Sequence, residues 1–407
     1  MSARFFVFLL SVFVIFLILF FLLYNFFSIS YPAVAPQLLW PIQCIDTMKV
    51  SRDRARELAH HPFLDEIIHK QVKVISSIGA TCISVGTPYD DEFIPYLSAW
   101  VRHARAEGLS VWFRGNFAGW EGWFDYPRIR DTDEYLAKLR LFLVTHQDLF
   151  MDGDIFTAAP EAEHGGPFRP GDVSLAHSYR SFLVQTYRLC SSFFADVGKN
   201  VICNLLSMSG GQAKVIFTES FAREVGNVVT LDHYVRDVAD MASYIHYFSH
   251  NFGSRVVLGE FGAPIPDLNG AMSASQQRDF VAELLRQLYI HRDVIVGVNY
   301  WTLTEGSTSL LDSDGGERPV VQVLRDYYQP GVIVGKVVHS WGMGVPFARI
   351  HISVLPHPIS TDQYGYFVLY VPAGYFKLTA FTDQRTSQDY FVEVSRHSVS
   401  KVIIYFP

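Results

Sequence analysis

One feature constrains this chain more than any other. Between about residues 41 and 328 a short apolar run, a turn and a longer amphipathic segment recur eight times. "PIQCIDTM", "ATCISVGTP", "LSVWFRGN", "GDIFTAAPEAEHGG", "NVICNLLSMSGG", "NVVTLDHYV", "RVVLGEFGAP" and "DVIVGVNYWTL" read as strands. The segments between them, such as "FLDEIIHKQVKVISSIG" and "EFIPYLSAWVRHARAEG", carry apolar residues at three-to-four spacing and read as helices. Gly108 closes the second of these. Residues 212–224 read as a shorter helix plus loop, and "PVVQVLRDYY" as the last helix. Strands that alternate with helices pair in parallel. Eight such units in about 290 residues have the size of a (β/α)8, or TIM, barrel. An open doubly wound sheet competes, but it would bring a Gly-rich phosphate loop after an early strand. The chain has no GxGxxG and no P-loop.

Both flanks differ from this middle. Residues 5–27, "FFVFLLSVFVIFLILFFLLYNFF", carry no charge, and 23 such residues span a bilayer as a helix. Signal-peptide apolar regions run to about 7–15 residues, and the "AVA" at 33–35 lies several residues past the run. The favoured reading is an uncleaved signal anchor at 1–30, with a cleaved signal as the alternative. Arg4 and the α-amino group precede the run, which puts the N-terminus in the cytoplasm and the body outside. A Pro-containing linker follows at 31–40, and the barrel occupies 41–329. Over 330–407 alternating strands separated by Gly, Pro and Asp turns read as a small all-β sandwich.

Composition narrows the class further. A net charge of −7 without a basic run argues against nucleic acid as a partner. The aromatic share of 15%, with seven Trp and 21 Tyr, permits sugar binding on flat ring faces. Cys44, Cys82, Cys190 and Cys203 form no CxxC pair, so no zinc framework is visible. Buried thiols are the favoured reading, and a Cys44–Cys82 disulfide is the alternative for an exported domain.

In such a barrel, functional groups sit at the C-terminal ends of strands. Strand one ends near Asp46, strand three in Arg114 and Asn116, with Trp120, Glu121 and Trp123 in the loop beyond. Strand four ends in Glu161 and Glu163, strand six in Asp232, His233 and Tyr234, strand seven on Glu260, and strand eight in Asn299, Tyr300 and Trp301. Ending a buried strand on a carboxylate is costly unless the charge is paired or used. Carboxylates on strands four and seven, across one mouth, suit glycoside hydrolysis, which needs one protonated acid and one ionised carboxylate. His164 beside two glutamates lacks metal-ligand spacing such as HExxH, so no metal is assigned, and no organic cofactor is needed.

"GEFG", then "YWTLTEGSTSLLDSDGGERP" about 40 residues on, resembles the clan A retaining glycoside hydrolases, the cellulase-like family 5 and its relatives. The resemblance covers the barrel. It implies Glu260 as nucleophile, an acid/base on strand four, Tyr234 as the group that orients the nucleophile with His233 nearby, and Trp301 as a platform under the sugar. It departs at strand four. The clan places Asn before the acid/base, whereas Pro160 precedes Glu161 and Ala162 precedes Glu163. Glu161 is preferred as acid/base, with Glu163 as the alternative. Arg114, Asn116, Trp120, Trp123 and Asn299 complete the substrate-binding candidates. The segment "GKVV…PFARIHI…TDQYGYFVLYVPAGYFKLTAF" resembles carboxypeptidase regulatory-like domains, which implies a non-catalytic spacer with an unknown partner.

The implied activity is double-displacement hydrolysis of β-linked glycosides in a carbohydrate substrate, outside the cytoplasm. Two alternatives stay open: an inactive glycan-binding barrel, and a transglycosylase with the same residues. Each candidate also has a structural alternative. Glu260 or Arg114 could serve only an ion pair, Glu161 and Glu163 a solvated loop, and the tryptophans core packing. Of His233 and Tyr234, only one can face the mouth.

Overall fold

The structure is a computed structural model describing residues 31, 34, 35, 37–383 and 385–406. The apolar run at 5–27 lies outside these residues, and the anchor expectation with it. Among the described residues no helix is long and apolar enough to cross a membrane. The chain divides into two compact units, Leu38–Gln329, and Pro330–Pro407 together with the described residues ahead of Leu38.

The larger unit is α/β, as its alternating pattern predicts. Its strands are β1 (Ile42–Asp46), β2 (Cys82–Val85), β3 (Ser110–Phe113), β4 (Ile155–Phe156), β5 (Ser207–Ser209), β6 (Val228–Asp232), β7 (Arg255–Phe261) and β8 (Ile295–Tyr300). They form one sheet in the order β4-β3-β2-β1-β8-β7-β6-β5, with every pair parallel. An isolated parallel bridge also pairs Ile155 of β4 with Ile202, in the segment ahead of β5. Parallel strands covered on both faces read as continuous apolar runs, and β2 and β6 are buried at every residue. Cys44, Cys82, Trp112, Ile155, Leu205, Val228 and Val257 pack into one cluster, drawing together side chains from around the sheet.

The principal helices are α1 (Leu64–Ile78), α2 (Ile94–Ala106), α3 (Thr132–Thr145), α4 (Ala176–Asp196), α5 (Gly210–Ile216), α6 (Val238–Phe252), α7 (Ala274–Ile290) and α8 (Val320–Tyr328). Helix α1 shows the logic. Ile68, Val72, Ile75 and Ile78 recur on one face and are buried. Gly79 then stops it at φ 94°, and a Cβ there would meet the Gln329 side chain at 2.5 Å. Helix α7 starts with a reciprocal capping box of Ser273 and Gln276.

The fifth strand is much shorter than its apolar run suggests. The Leu205 carbonyl accepts from the Thr157 hydroxyl at 2.7 Å, and the Asn204 amide donates to the Val225 carbonyl at 3.1 Å. Side chains take up bonding capacity that a longer ladder would have used.

Cys44 and Cys82 are paired in register across β1 and β2 and joined as a disulfide, with Cα atoms 4.6 Å apart. The buried-thiol expectation therefore holds for Cys190 and Cys203 and not for this pair. The crosslink closes a sequence separation of 38 residues. Replacing both cysteines by alanine should cost about 3–4 kcal/mol, the loop entropy restored to the unfolded chain. Urea unfolding of both proteins under non-reducing conditions checks this, and equal midpoints would contradict it.

The smaller unit is all-β. Strands β9 (Gly331–His339), β12 (Tyr366–Val371) and β15 (Val399–Phe406) form one sheet. Strands β10 (Arg349–Ile352), β11 (Ile359–Ser360), β13 (Gly374–Phe381) and β14 (Tyr390–Val394) form another. Buried and exposed residues alternate along β10 and β13, the period-2 signature of half-buried strands.

Candidate active site

Glu260 owes its position to a register shift. Leu231 pairs with Leu258, but Asp232 pairs with Glu260, so β7 carries one extra residue, Gly259. A Cβ on Gly259 would sit 2.3 Å from Asp232 Oδ1, so only glycine fits. The Gly259 carbonyl, released from the ladder, accepts from Arg114 Nη1 at 2.6 Å and from Asn299 Nδ2 at 2.8 Å.

Arg114 is fully buried at the end of β3. Its Nη2 donates to Asp232 Oδ2 at 2.6 Å, and its Nη1 lies 3.2 Å from Glu260 Oε1 and 3.5 Å from Asp46 Oδ2. The Tyr234 hydroxyl donates to Glu260 Oε2 at 2.8 Å. Asp232 and Tyr234 are two residues apart at the end of β6, and both reach the Glu260 group. Burial pushes Glu260 up to about 7, opposed by Arg114 and reinforced by Glu161 and Asp46.

Glu161 follows β4 and reaches the same point. One oxygen each from Glu161, Asp232 and Glu260 lie within 4.8 Å of one another. Its backbone is left-handed, φ 44° and ψ 48°, a conformation that costs a non-glycine residue on the order of 1 kcal/mol. The N–H of Glu161 donates to the Ser207 carbonyl at 3.0 Å, which holds the turn. The side chain is one-third exposed and lies 3.7 Å from His164 Nε2. Through this contact Glu161 raises His164 to about 9, with Glu163 and Glu121 adding to the effect and burial opposing it.

Glu163, the alternative acid/base, is fully buried and both its oxygens are engaged. Tyr179 donates to Oε2 at 2.7 Å and the Ser209 N–H to Oε1 at 2.9 Å. It ties α4 to the start of α5.

The remaining candidates divide. Trp301 is half-buried, edge-on to Tyr234 at 5.9 Å, with Lys49 Nζ 5.7 Å from its ring centre. Its neighbour Tyr234 is the residue that donates to Glu260. Trp123 is also half-buried, and the Arg52 guanidinium stacks 4.6 Å from its ring. Asn299 is buried and props the site, donating to Asp46 Oδ2 at 3.2 Å as well as to Gly259. Five expectations of sugar contact are corrected. Arg114 and Asn299 are fully buried and engaged by protein partners. Trp120 has no exposed surface, stacks on Phe182 at 5.3 Å and donates to the Ala162 carbonyl. Asn116 is buried with its Oδ1 taken by Phe117 N and the Tyr135 hydroxyl. The His233 ring lies against Tyr244, 3.9 Å between centres, and burial lowers its pKa to about 4. Alternation along the chain sends His233 away from Asp232 and Tyr234.

Glu121 was legible only as part of a loop. It is held up to about 7 by burial, with Arg52 opposing and Glu161 adding. Asp232 stood at a strand end like the others. What singles it out is the Gly259 bulge, which has no sequence signal beyond the glycine itself. Two groups of side chains, Glu161 with Glu163 and His164, and Glu161 with Asp232 and Glu260, bring possible ligand atoms within 4.8 Å of one another, and no metal is assigned to either.

No protein-family model and no curated protein sequence matches the chain. Solved structures do resemble it. A variant of GH5_18 from Streptomyces cattleya, in complex with Manb1-4GlcNAc, has a TM-score of 0.52 at 13% identity, covering 73% of this chain and 85% of its own. The β-glucuronidase of Bifidobacterium dentium complexed with coumarin-3-O-glucuronide has a TM-score of 0.47 at 16% identity, covering 65% of this chain and 43% of its own. An FMN-binding β-glucuronidase from Facaelibacterium prausnitzii L2-6 has a TM-score of 0.45 at 11% identity, covering 82% and 53%. The chain spans about half the length of these glucuronidases. At such identities the likeness concerns the fold alone, and of these three the Streptomyces structure carries it.

Proposed function

We propose that the chain is a retaining β-glycoside hydrolase whose parallel sheet closes as a (β/α)8 barrel with the active site at the strand ends. One observation carries this reading: oxygens of Glu161 and Glu260 lie within 4.8 Å of each other. A nearest-oxygen approach this short suits the close carboxyl pair of a retaining enzyme, roughly 5–5.5 Å apart, better than the roughly 6.5–9.5 Å of an inverting one, which admits a water.

In the first step Glu260 Oε attacks the anomeric carbon. The glycosidic C–O bond breaks, and the proton on Glu161 goes to the departing oxygen. In the second step Glu161 takes a proton from water, the hydroxide oxygen attacks the same carbon, and the ester to Glu260 breaks. Tyr234 and Arg114 hold Glu260 in one orientation, and Trp301 offers a ring face beside it. The test is stereochemical. Proton NMR of the first-formed sugar from an aryl β-glycoside panel should show the β anomer, and the α anomer would contradict retention.

The rate should also fall on acidification. Glu260 attacks only when ionised, and it is raised to about 7, so kcat/KM should drop tenfold per pH unit below that point. A profile flat down to pH 5 would contradict the assignment.

The inactive glycan-binding reading keeps one specific observation, Pro160 where the clan has Asn. Measurable turnover by purified protein excludes it, and product analysis at high acceptor concentration separates a transglycosylase. We further propose that the smaller unit is a carboxypeptidase regulatory-like spacer and that residues 5–27 anchor the chain with its barrel outside the cytoplasm. The Cys44–Cys82 disulfide supports an oxidising compartment.

A further inference from the structure

Asp232 is a buried carboxylate that double displacement leaves without a task. Three carboxylates, Asp46, Asp232 and Glu260, face one guanidinium, Arg114. Their side chains are 0%, 1% and 8% exposed. Glu161 brings a fourth carboxylate within 4.8 Å of two of them. Among the described residues no second cation pairs with the three. One positive charge cannot hold three negative charges ionised out of water, so the group retains a proton.

The hydrogen bonds decide where that proton sits. Asp46 accepts from Met48 N at 2.6 Å, from the Ser84 hydroxyl at 2.8 Å and from Asn299 at 3.2 Å. Glu260 has the Tyr234 hydroxyl at one oxygen and Arg114 at the other. Asp232 Oδ2 accepts from Arg114, the Ser207 hydroxyl lies beside the carboxylate and weakly favours its ionised form, and Oδ1 is buried without a hydrogen-bond partner. Donors favour the ionised form, and an oxygen without one favours the acid.

We propose that Asp232 carries this proton and acts as a positioning residue, a neutral partner that leaves the Arg114 charge to Glu260. Burial drives the Asp232 carboxyl well above the usual range, opposed by Arg114 and, more weakly, by the Ser207 hydroxyl, and reinforced by Glu260 and Glu161. The kinetic consequence rests on the glycosidase reading, whereas the proton assignment does not.

The test pairs infrared difference spectroscopy with a pH profile of Asp232→Asn, a neutral isostere. At neutral pH the wild type should show a carboxylic-acid carbonyl band that the variant lacks. The acid limb of kcat/KM should stay where it is in wild type while kcat falls several-fold, because a neutral group has replaced a neutral group. Retention of the band in the variant would overturn the proposal. So would an acid limb moved down by about one pH unit or more, the shift expected when a negative charge near Glu260 is removed. If the variant does not fold, wild type labelled with carboxyl-¹³C aspartate reads the proton directly. A protonated aspartic acid band at neutral pH supports the proposal, and its absence overturns it. Presence of the band in a wild type that hydrolyses no glycoside would sink the glycosidase reading and leave the proton on Asp232.

Discussion

Glu260→Gln should lower glycoside turnover by on the order of 10⁵-fold, the effective molarity that a positioned nucleophile supplies. The substitution keeps the side chain's shape and can still accept from Tyr234, so it removes the charge and little else. Nothing nearby replaces it. Asp232 is locked to Arg114, and Asp46 is saturated with donors. The fold should survive, because a buried charge has been replaced by a neutral group. Unchanged circular dichroism with lost turnover is the expected pair of results. Turnover within tenfold of wild type would remove Glu260 from the chemistry.

Glu161→Ala should produce a different loss, one that depends on the leaving group. With an unactivated glycoside the departing oxygen needs a proton, and the loss should be about 10²–10⁴-fold. With a dinitrophenyl glycoside the first step needs no acid, so the glycosyl-enzyme should accumulate. Azide should then restore turnover and give a β-glycosyl azide. Glu163→Ala separates the two candidates. Its oxygens hold Tyr179 and the Ser209 N–H, so its removal should lower the melting temperature without leaving-group dependence. Azide rescue of the Glu163 variant, and none of the Glu161 variant, would reverse the assignment.

Much of this was legible because it is periodic. Apolar runs alternating with amphipathic segments place the parallel strands, and strand ends place Glu260, Arg114, Tyr234 and Trp301. What escaped depends on contacts between distant residues. Trp120 and Trp123 are three residues apart in one loop, yet Trp120 is enclosed by Phe182 and Tyr135 while Trp123 is half-buried beneath Arg52. Local pattern does not distinguish them. Glu161 and Glu163 differ in the same way, since one is freed by a left-handed turn and the other is captured by Tyr179 of α4. The pairing of Cys44 with Cys82 follows from the register of β1 against β2, which spacing alone leaves open. The proton balance around Arg114 depends on four strand ends meeting at one guanidinium.

The central claim is that Glu260 forms a covalent bond to sugar. Incubating the full-length protein with a panel of activated 2-deoxy-2-fluoro β-glycosides should trap the ester, because the fluorine slows its hydrolysis more than its formation. Intact mass should rise by one fluorosugar, and peptide mapping should locate the adduct on Glu260. An adduct on any other carboxylate, or none across the panel in a protein that also fails to hydrolyse glycosides, would contradict the account.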